Sequence, residues 1–220
     1  MKVAVRPVVC RKPYQHYGTT RKYMLAEHLV YTAAFAILAG MLSYRSWGRD
    51  SSWIVILVSY APDLDKVMDT ILKRIGLVVT YDGYLIHHGT FHTIAAMIVF
   101  SLVLAFLLHP LGIRFIDTVV FTIVGFGAHL FEDALVYPAY YMYLWPLSHA
   151  KYGLAWLPTG PEDVYNAGFF RIANTEVLAI GLFLLILAMV IRTRVEGPGW
   201  IRWYMPESFY RRFFLKKGNA

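Results

Sequence analysis

Cysteine is nearly absent from this chain, with Cys10 standing alone among 220 residues. That excludes an intramolecular disulfide and any multi-cysteine metal site, so a bound metal must be held by nitrogen and oxygen. Charge is scarce too. Asp, Glu, Lys and Arg make up 16% of the sequence against 58% hydrophobic residues, a balance too apolar for an ordinary soluble domain. A secretory signal pattern is also missing. Residues 1–22 carry Lys2, Arg6, Arg11, Lys12, Arg21 and Lys22 with prolines and no apolar run, and so read as a basic arm.

What the sequence does contain is long apolar stretches. Residues 23–44, 93–111, 115–137 and 172–192 each approach the roughly 20 helical residues that cross a hydrocarbon core of about 30 Å. Residues 51–62 (SSWIVILVSYAP) are apolar but shorter, as in a re-entrant or tilted helix. The expected fold is therefore all-α, an integral membrane helical bundle of about five hydrophobic helices, the second one short. Three parts are expected: a basic N-terminal arm at 1–22, a transmembrane helical domain at 23–192, and a basic aromatic interfacial tail at 193–220. Within the domain, Pro110 and Gly112 mark a short turn between two antiparallel helices, and Gly125 and Gly127 permit close helix approach. Residues 138–171 read as an aromatic loop at headgroup level, able to cover whatever lies at that face. The net charge of +7 has its basic residues clustered in the terminal segments beside apolar spans. Anionic lipid headgroups fit that placement better than nucleic acid does.

Four groups carry potential ligands: Glu27-His28, Asp63-Leu64-Asp65 after Pro62, His87-His88-Gly89-Thr90-Phe91-His92, and His129 with Asp133. If the segment at 51–62 returns the chain across the membrane, alternating passes bring all four groups to one face. His129 and Asp133 lie four apart on one helix face and can share an ion. His87 and His92 bracket a glycine-containing turn. Each of these taken singly is as well explained by a hydrogen-bonded packing histidine or a helix cap. Together, however, they gather ionisable groups that are costly near a bilayer when unpaired. A divalent metal, zinc first and one or more ions, held by His28, Asp63, Asp65, His87, His92, His129 and Asp133, accounts for all of them. Glu27, Asp69 and Glu132 are possible supporting or base residues, although Glu132 points about 100° away from Asp133. His16 and His109 fall elsewhere, whereas His149 in the aromatic loop can reach the same face.

The order of these motifs resembles the YdjM-like family of membrane-bound metal-dependent hydrolases. Its pattern is a histidine in the first helix, PD-hydrophobic-D, H-R-G-x-T-H-S, and H-x-x-x-D in a later helix. His28, Pro62-Asp63-Leu64-Asp65, residues 87–93, and His129 with Asp133 occupy those places. His88 stands where the pattern has arginine, Phe91 where it has threonine, and Val136-Tyr137-Pro138 where it has Thr-Pro. The resemblance implies a metal-dependent hydrolase of the cell membrane, and a looser similarity of the His/Asp set to that of zinc-dependent phospholipase C-like proteins implies a phosphoester or lipid-derived substrate cleaved with metal-activated water. In that reading Asp65 or Asp133 handles the proton, and His88 and His149 are the substrate-binding candidates. The competing reading is a non-catalytic scaffold or regulatory protein whose metal pins the helices together while its basic ends bind lipid or a protein partner. A transporter fits less well, because the ligand groups gather at one face rather than at the midplane.

Overall fold

Four of the apolar stretches become long helices in the computed structural model, which describes residues 4–7, 25–81, 84–85, 90–157, 165–167, 170–172 and 175–205. In the described residues a strand, β1 (Ala4–Pro7), comes first, then α1 (Leu25–Trp47), the short α2 (Trp53–Leu57) and α3 (Leu64–Arg74). Strands β2 (Leu77–Tyr81) and β3 (Tyr84–Leu85) lead to α4 (Ile94–Leu108) and α5 (Phe115–Val136). Then come β4 (Pro138–Tyr141), β5 (Tyr152–Leu154), β6 (Tyr165–Ala167), β7 (Phe170–Ile172) and α6 (Thr175–Glu196). A 3₁₀ segment at Pro198–Tyr204 closes the described chain. The molecule is a mostly helical membrane protein, and α1, α4, α5 and α6 are each long and apolar enough to cross a bilayer.

The expected crossing at 51–62 takes a different form. Helix α2 has five residues and spans only about 7.5 Å, and residues 58–63 continue as turns. The segment nevertheless returns the chain to the end where α1 begins, because it starts inside the far end of the bundle rather than beyond it. A Cβ on Gly40 would meet Asp50 Oδ2, Ser52 Oγ and Arg192 Nη1 at 2.5–2.6 Å. That places residues 50–52 at the depth of Gly40, part-way up α1 rather than at its C-terminus. Helix α5 makes room for the segment at Gly125, where a Cβ would lie 2.4 Å from Val58 Cγ2 and 2.6 Å from the Val55 carbonyl oxygen. Gly127 has only an ordinary contact with Met97. Ile54, Val55, Val58 and Ala61 then bury against Ala36, Phe121, Phe126 and Leu130 to form the principal core.

Other elements follow from local chemistry. Thr93 caps α4 by accepting the Ala96 N–H at 3.0 Å, one of the otherwise unpaired donors of a helix start. The α4–α5 hairpin turns through a 3₁₀ step at His109–Leu111 and Gly112, whose φ of +80° favours glycine. Helices α4 and α6 turn Val99, Phe106, Phe183 and Ile186 outward, a surface suited to lipid. Helix α3 exposes Leu64, Val67, Met68, Ile71 and Ile75 beside Lys73 and Arg74, the pattern of a helix lying at a membrane surface. The aromatic loop at 138–171 contains strand pairs that its expectation as a loop left out. Strand β4 pairs antiparallel with β5, and β6 with β7, consistent with the strand preference of their aromatic residues.

Candidate functional site

The N-terminal turn of α1, the turn after α2, the entry to α4 and the last turns of α5 meet at one end of the bundle. His28 of α1 lies 2.9 Å, through Nδ1, from Glu132 Oε2 of α5, and its ring stacks on His129 at a centroid distance of 3.8 Å. His92 Nε2 is 3.2 Å from Asp133 Oδ2 and 4.0 Å from Asp63 Oδ1. His129 Nε2 is 3.7 Å from the same Asp133 oxygen. The opposite end of the bundle is fixed separately, by a two-pronged contact of Arg49 on Asp117 at 2.7 and 3.3 Å.

Two overlapping groups of side chains could hold a metal ion: His28, Asp63 and His129, and His92, His129 and Asp133, with the ligand atoms of each group within 4.8 Å of one another. The orientation of the imidazoles suits that role. The Ser59 carbonyl, 2.7 Å from His129 Nδ1, can only accept a hydrogen bond. Nδ1 must therefore carry the proton, which leaves Nε2 with a lone pair. Among the described residues, that Nε2 is buried without a hydrogen-bond partner. His28 faces the Glu132 carboxylate through Nδ1 in the same way. His92 has Asp65 Oδ2 at 3.6 Å from its Nδ1. An acceptor on Nδ1 with Nε2 turned inward is the usual setting of a metal-ligating histidine.

Charge points the same way. Among the described residues, five carboxylates, Glu27, Asp63, Asp65, Glu132 and Asp133, gather around three histidines, and only Asp63 is appreciably exposed, its side chain at 17%. Three imidazolium charges cannot balance five carboxylates. At His92, burial works against the cation, but hydrogen bonding and charge from Asp133 and Asp65 outweigh it and raise its pKa to about 9. A positive charge is favoured at this position.

The predicted residues separate into those the fold brings together and those it does not. His28, Asp63, His92, His129 and Asp133 converge. Asp65 is fully buried but belongs to neither group; its Oδ2 accepts the Phe91 N–H at 3.0 Å and lies on the Nδ1 side of His92. His87 and His88 lie outside the described residues. His149 is exposed and outside both groups. Asp69 is at the surface, paired with Lys73 at 2.6 Å. The underrated residue is Glu132. Its rotation of about 100° from Asp133 turns it from the ion cluster onto His28, and only the packing of α1 against α5 reveals that partner. The aromatic loop covers the cluster as expected: Tyr141 is buried and stacks on His92 at 4.4 Å with an interplanar angle of 7°, and the Tyr143 carbonyl accepts the Ile94 N–H.

No curated protein and no solved structure matches the chain. A family model described as YdjM inner membrane protein matches residues 24–197, a stretch that contains every element of the cluster, and the chain therefore belongs to the YdjM family of inner membrane proteins.

Proposed function

We propose that this protein is a metal-dependent hydrolase of the cell membrane, with His28, His92, His129 and Asp133 holding a divalent ion. The observation that carries the reading is the pose of the imidazoles: His28 and His129 each face a hydrogen-bond acceptor through Nδ1, and His92 turns Nε2 to Asp133 with Asp65 Oδ2 3.6 Å from its Nδ1. Nitrogen and oxygen donors in such a number suit zinc. A bound ion would supply Lewis acidity, making water a nucleophile near neutral pH and polarising the bond to be cleaved.

The chain's own residues divide the remaining work. Asp63, the carboxylate at the exposed edge of the cluster, is the group best placed to take a proton from water entering there. This moves the proton-handling role away from Asp65 and Asp133. The Asp65 carboxylate is committed to the Phe91 N–H and His92, so its part is to position His92, and Asp133 is needed as a ligand. Glu132 positions His28. Tyr141, lying flat on His92, shields the imidazole from bulk water. The substrate class that fits a site at the end of a membrane bundle under an aromatic loop is a phosphoester or lipid-derived molecule. His88 and His149 remain the candidates for contacting it.

The scaffold reading has support of its own in the burial of His28, His92, His129 and Asp133, since an ion closed off by protein would serve to pin α1, α5 and the entry to α4. Hydrolysis by protein in lipid nanodiscs, assayed on phosphoester and lipid substrates with zinc or with chelator, separates the two. Chelator-sensitive turnover that Asp63→Asn abolishes while metal content stays at the wild-type level supports the enzyme. Metal-dependent stability with no turnover on any substrate supports the scaffold.

A further inference from the structure

A second cluster lies at the other end of the bundle, where α6 ends and the 3₁₀ segment at Pro198–Tyr204 folds back. Its anchor is Arg192, fully buried. Arg192 donates to Asp50 Oδ2 at 2.7 Å, to Glu196 Oε2 at 2.9 Å, to the Tyr204 hydroxyl at 3.2 Å and to the Ile37 carbonyl at 3.3 Å. One guanidinium thus serves two carboxylates, and the buried trio carries one negative charge in excess. Among the described residues, the uncompensated atom is Glu196 Oε1, which is buried with no hydrogen-bond partner on a side chain only 9% exposed. A buried carboxylate oxygen left unpaired is costly.

Glu196 lines a cavity of about 140 Å³ whose other walls are Tyr44, Gly199, Trp200, Arg202 and Trp203. The Tyr44 and Trp203 rings approach at 5.9 Å, and the Arg202 guanidinium lies 5.0 Å from the centre of the Trp203 ring. A carboxylate among three aromatic rings is the environment that recognises an organic ammonium group, and a guanidinium at the same cavity suits a phosphate. The cavity sits at the helix end where Trp47 and Trp203 reach the surface, the depth of lipid headgroups. Its volume admits a group of a few heavy atoms rather than a drug-sized molecule.

We infer that this cavity binds the headgroup of a zwitterionic phospholipid, phosphoethanolamine by preference, with the ammonium on Glu196 and the aromatic rings and the phosphate on Arg202. The site stands apart from the histidine–aspartate cluster and does not depend on the hydrolase reading. It gives the last turn of α6 and the segment that follows a lipid-specific anchor.

The test is native mass spectrometry of the full chain released from nanodiscs of equal phosphatidylethanolamine and phosphatidylglycerol. Wild type should retain phosphatidylethanolamine roughly tenfold over phosphatidylglycerol, the size expected of one desolvated cation–aromatic contact with a carboxylate. Glu196→Gln keeps an acceptor for Arg192 but removes the charge, and should bring the ratio near parity. Trp203→Leu changes a part-exposed ring and should do the same, which keeps the test sound if Glu196→Gln folds poorly. Arg202→Gln should lower retention of both lipids together. Equal retention of the two lipids by wild type, or an unchanged ratio in Trp203→Leu, overturns the assignment. Titration of soluble phosphoethanolamine into phosphatidylglycerol nanodiscs, followed by tryptophan fluorescence, separates the sources: saturable binding with lipid-like affinity would make this a solute site and refute the lipid assignment.

Discussion

Replacing Glu132 by glutamine is a sharp probe of how the histidine–aspartate cluster is built. Glu132 Oε2 lies 2.9 Å from His28 Nδ1, with both side chains nearly or fully buried. A glutamine amide oxygen can occupy the same place and accept the same hydrogen bond, so the packing of α1 against α5 is preserved while the negative charge is lost. With that charge goes the basicity it lends to His28. Carboxylates behind a ligating histidine typically contribute 10- to 100-fold in metal affinity, or about 1.4–2.7 kcal/mol, and burial of this pair favours the upper part of that range. Competition between purified protein and a chelator of known zinc affinity reads the change directly, with circular dichroism reporting on the fold and Glu176→Gln, at an exposed position, as the control. Affinity unchanged in a well-folded Glu132→Gln protein would refute the idea that His28 is a ligand oriented by this carboxylate.

Three further outcomes follow from other contacts. Gly125→Ala puts a methyl group in collision with Val58 Cγ2 and 2.6 Å from the Val55 carbonyl, which should destabilise the fold by about 1–3 kcal/mol and weaken metal binding by shifting the segment whose Ser59 carbonyl holds His129; thermal unfolding in detergent and the same chelator titration check both. Arg192→Met should lower thermal stability sharply, since removing one partner of a buried ion pair costs about 3–5 kcal/mol and here leaves both Asp50 and Glu196 without their cation, whereas Asp50→Asn, which leaves Arg192 paired with Glu196, should be milder. Removing metal from wild type should lower its melting temperature, because a ligand at 100 times its dissociation constant adds about 2.7 kcal/mol to the folded state, whereas the His129→Ala protein should melt at the same temperature with or without chelator.

Much of the fold is written plainly in the hydropathy of the sequence. Four helices lie close to where runs of apolar residues place them, the turn at Pro110 and Gly112 forms, and Gly125 marks a close approach. The segment after Asp50 is harder to read. Its length argues against a span, and only the meeting of Gly40 with Asp50, Ser52 and Arg192 explains how five helical residues and a few turns suffice to return Asp63 to the face of His28. Convergence of the ligand groups is legible because it depends on the parity of crossings rather than on detail. The roles of individual carboxylates are not, because they depend on rotation about helix axes and on partners far away in sequence. Glu132 finds His28 across 104 residues, and Asp65, alike to Asp63 in sequence, turns instead to the backbone of Phe91. Glu196 and Arg192 give no local sign of their partnership with Asp50, since charged residues near a helix end ordinarily read as a solvated terminus.

The most direct test is the metal content of protein purified from membranes without added metal, measured by mass spectrometry for wild type and His129→Ala side by side. Wild type should carry a stoichiometric divalent ion, and His129→Ala, which removes the one residue common to both ligand groups, should lose it. Wild-type protein that is stably folded, free of metal and unable to take up zinc would contradict the account.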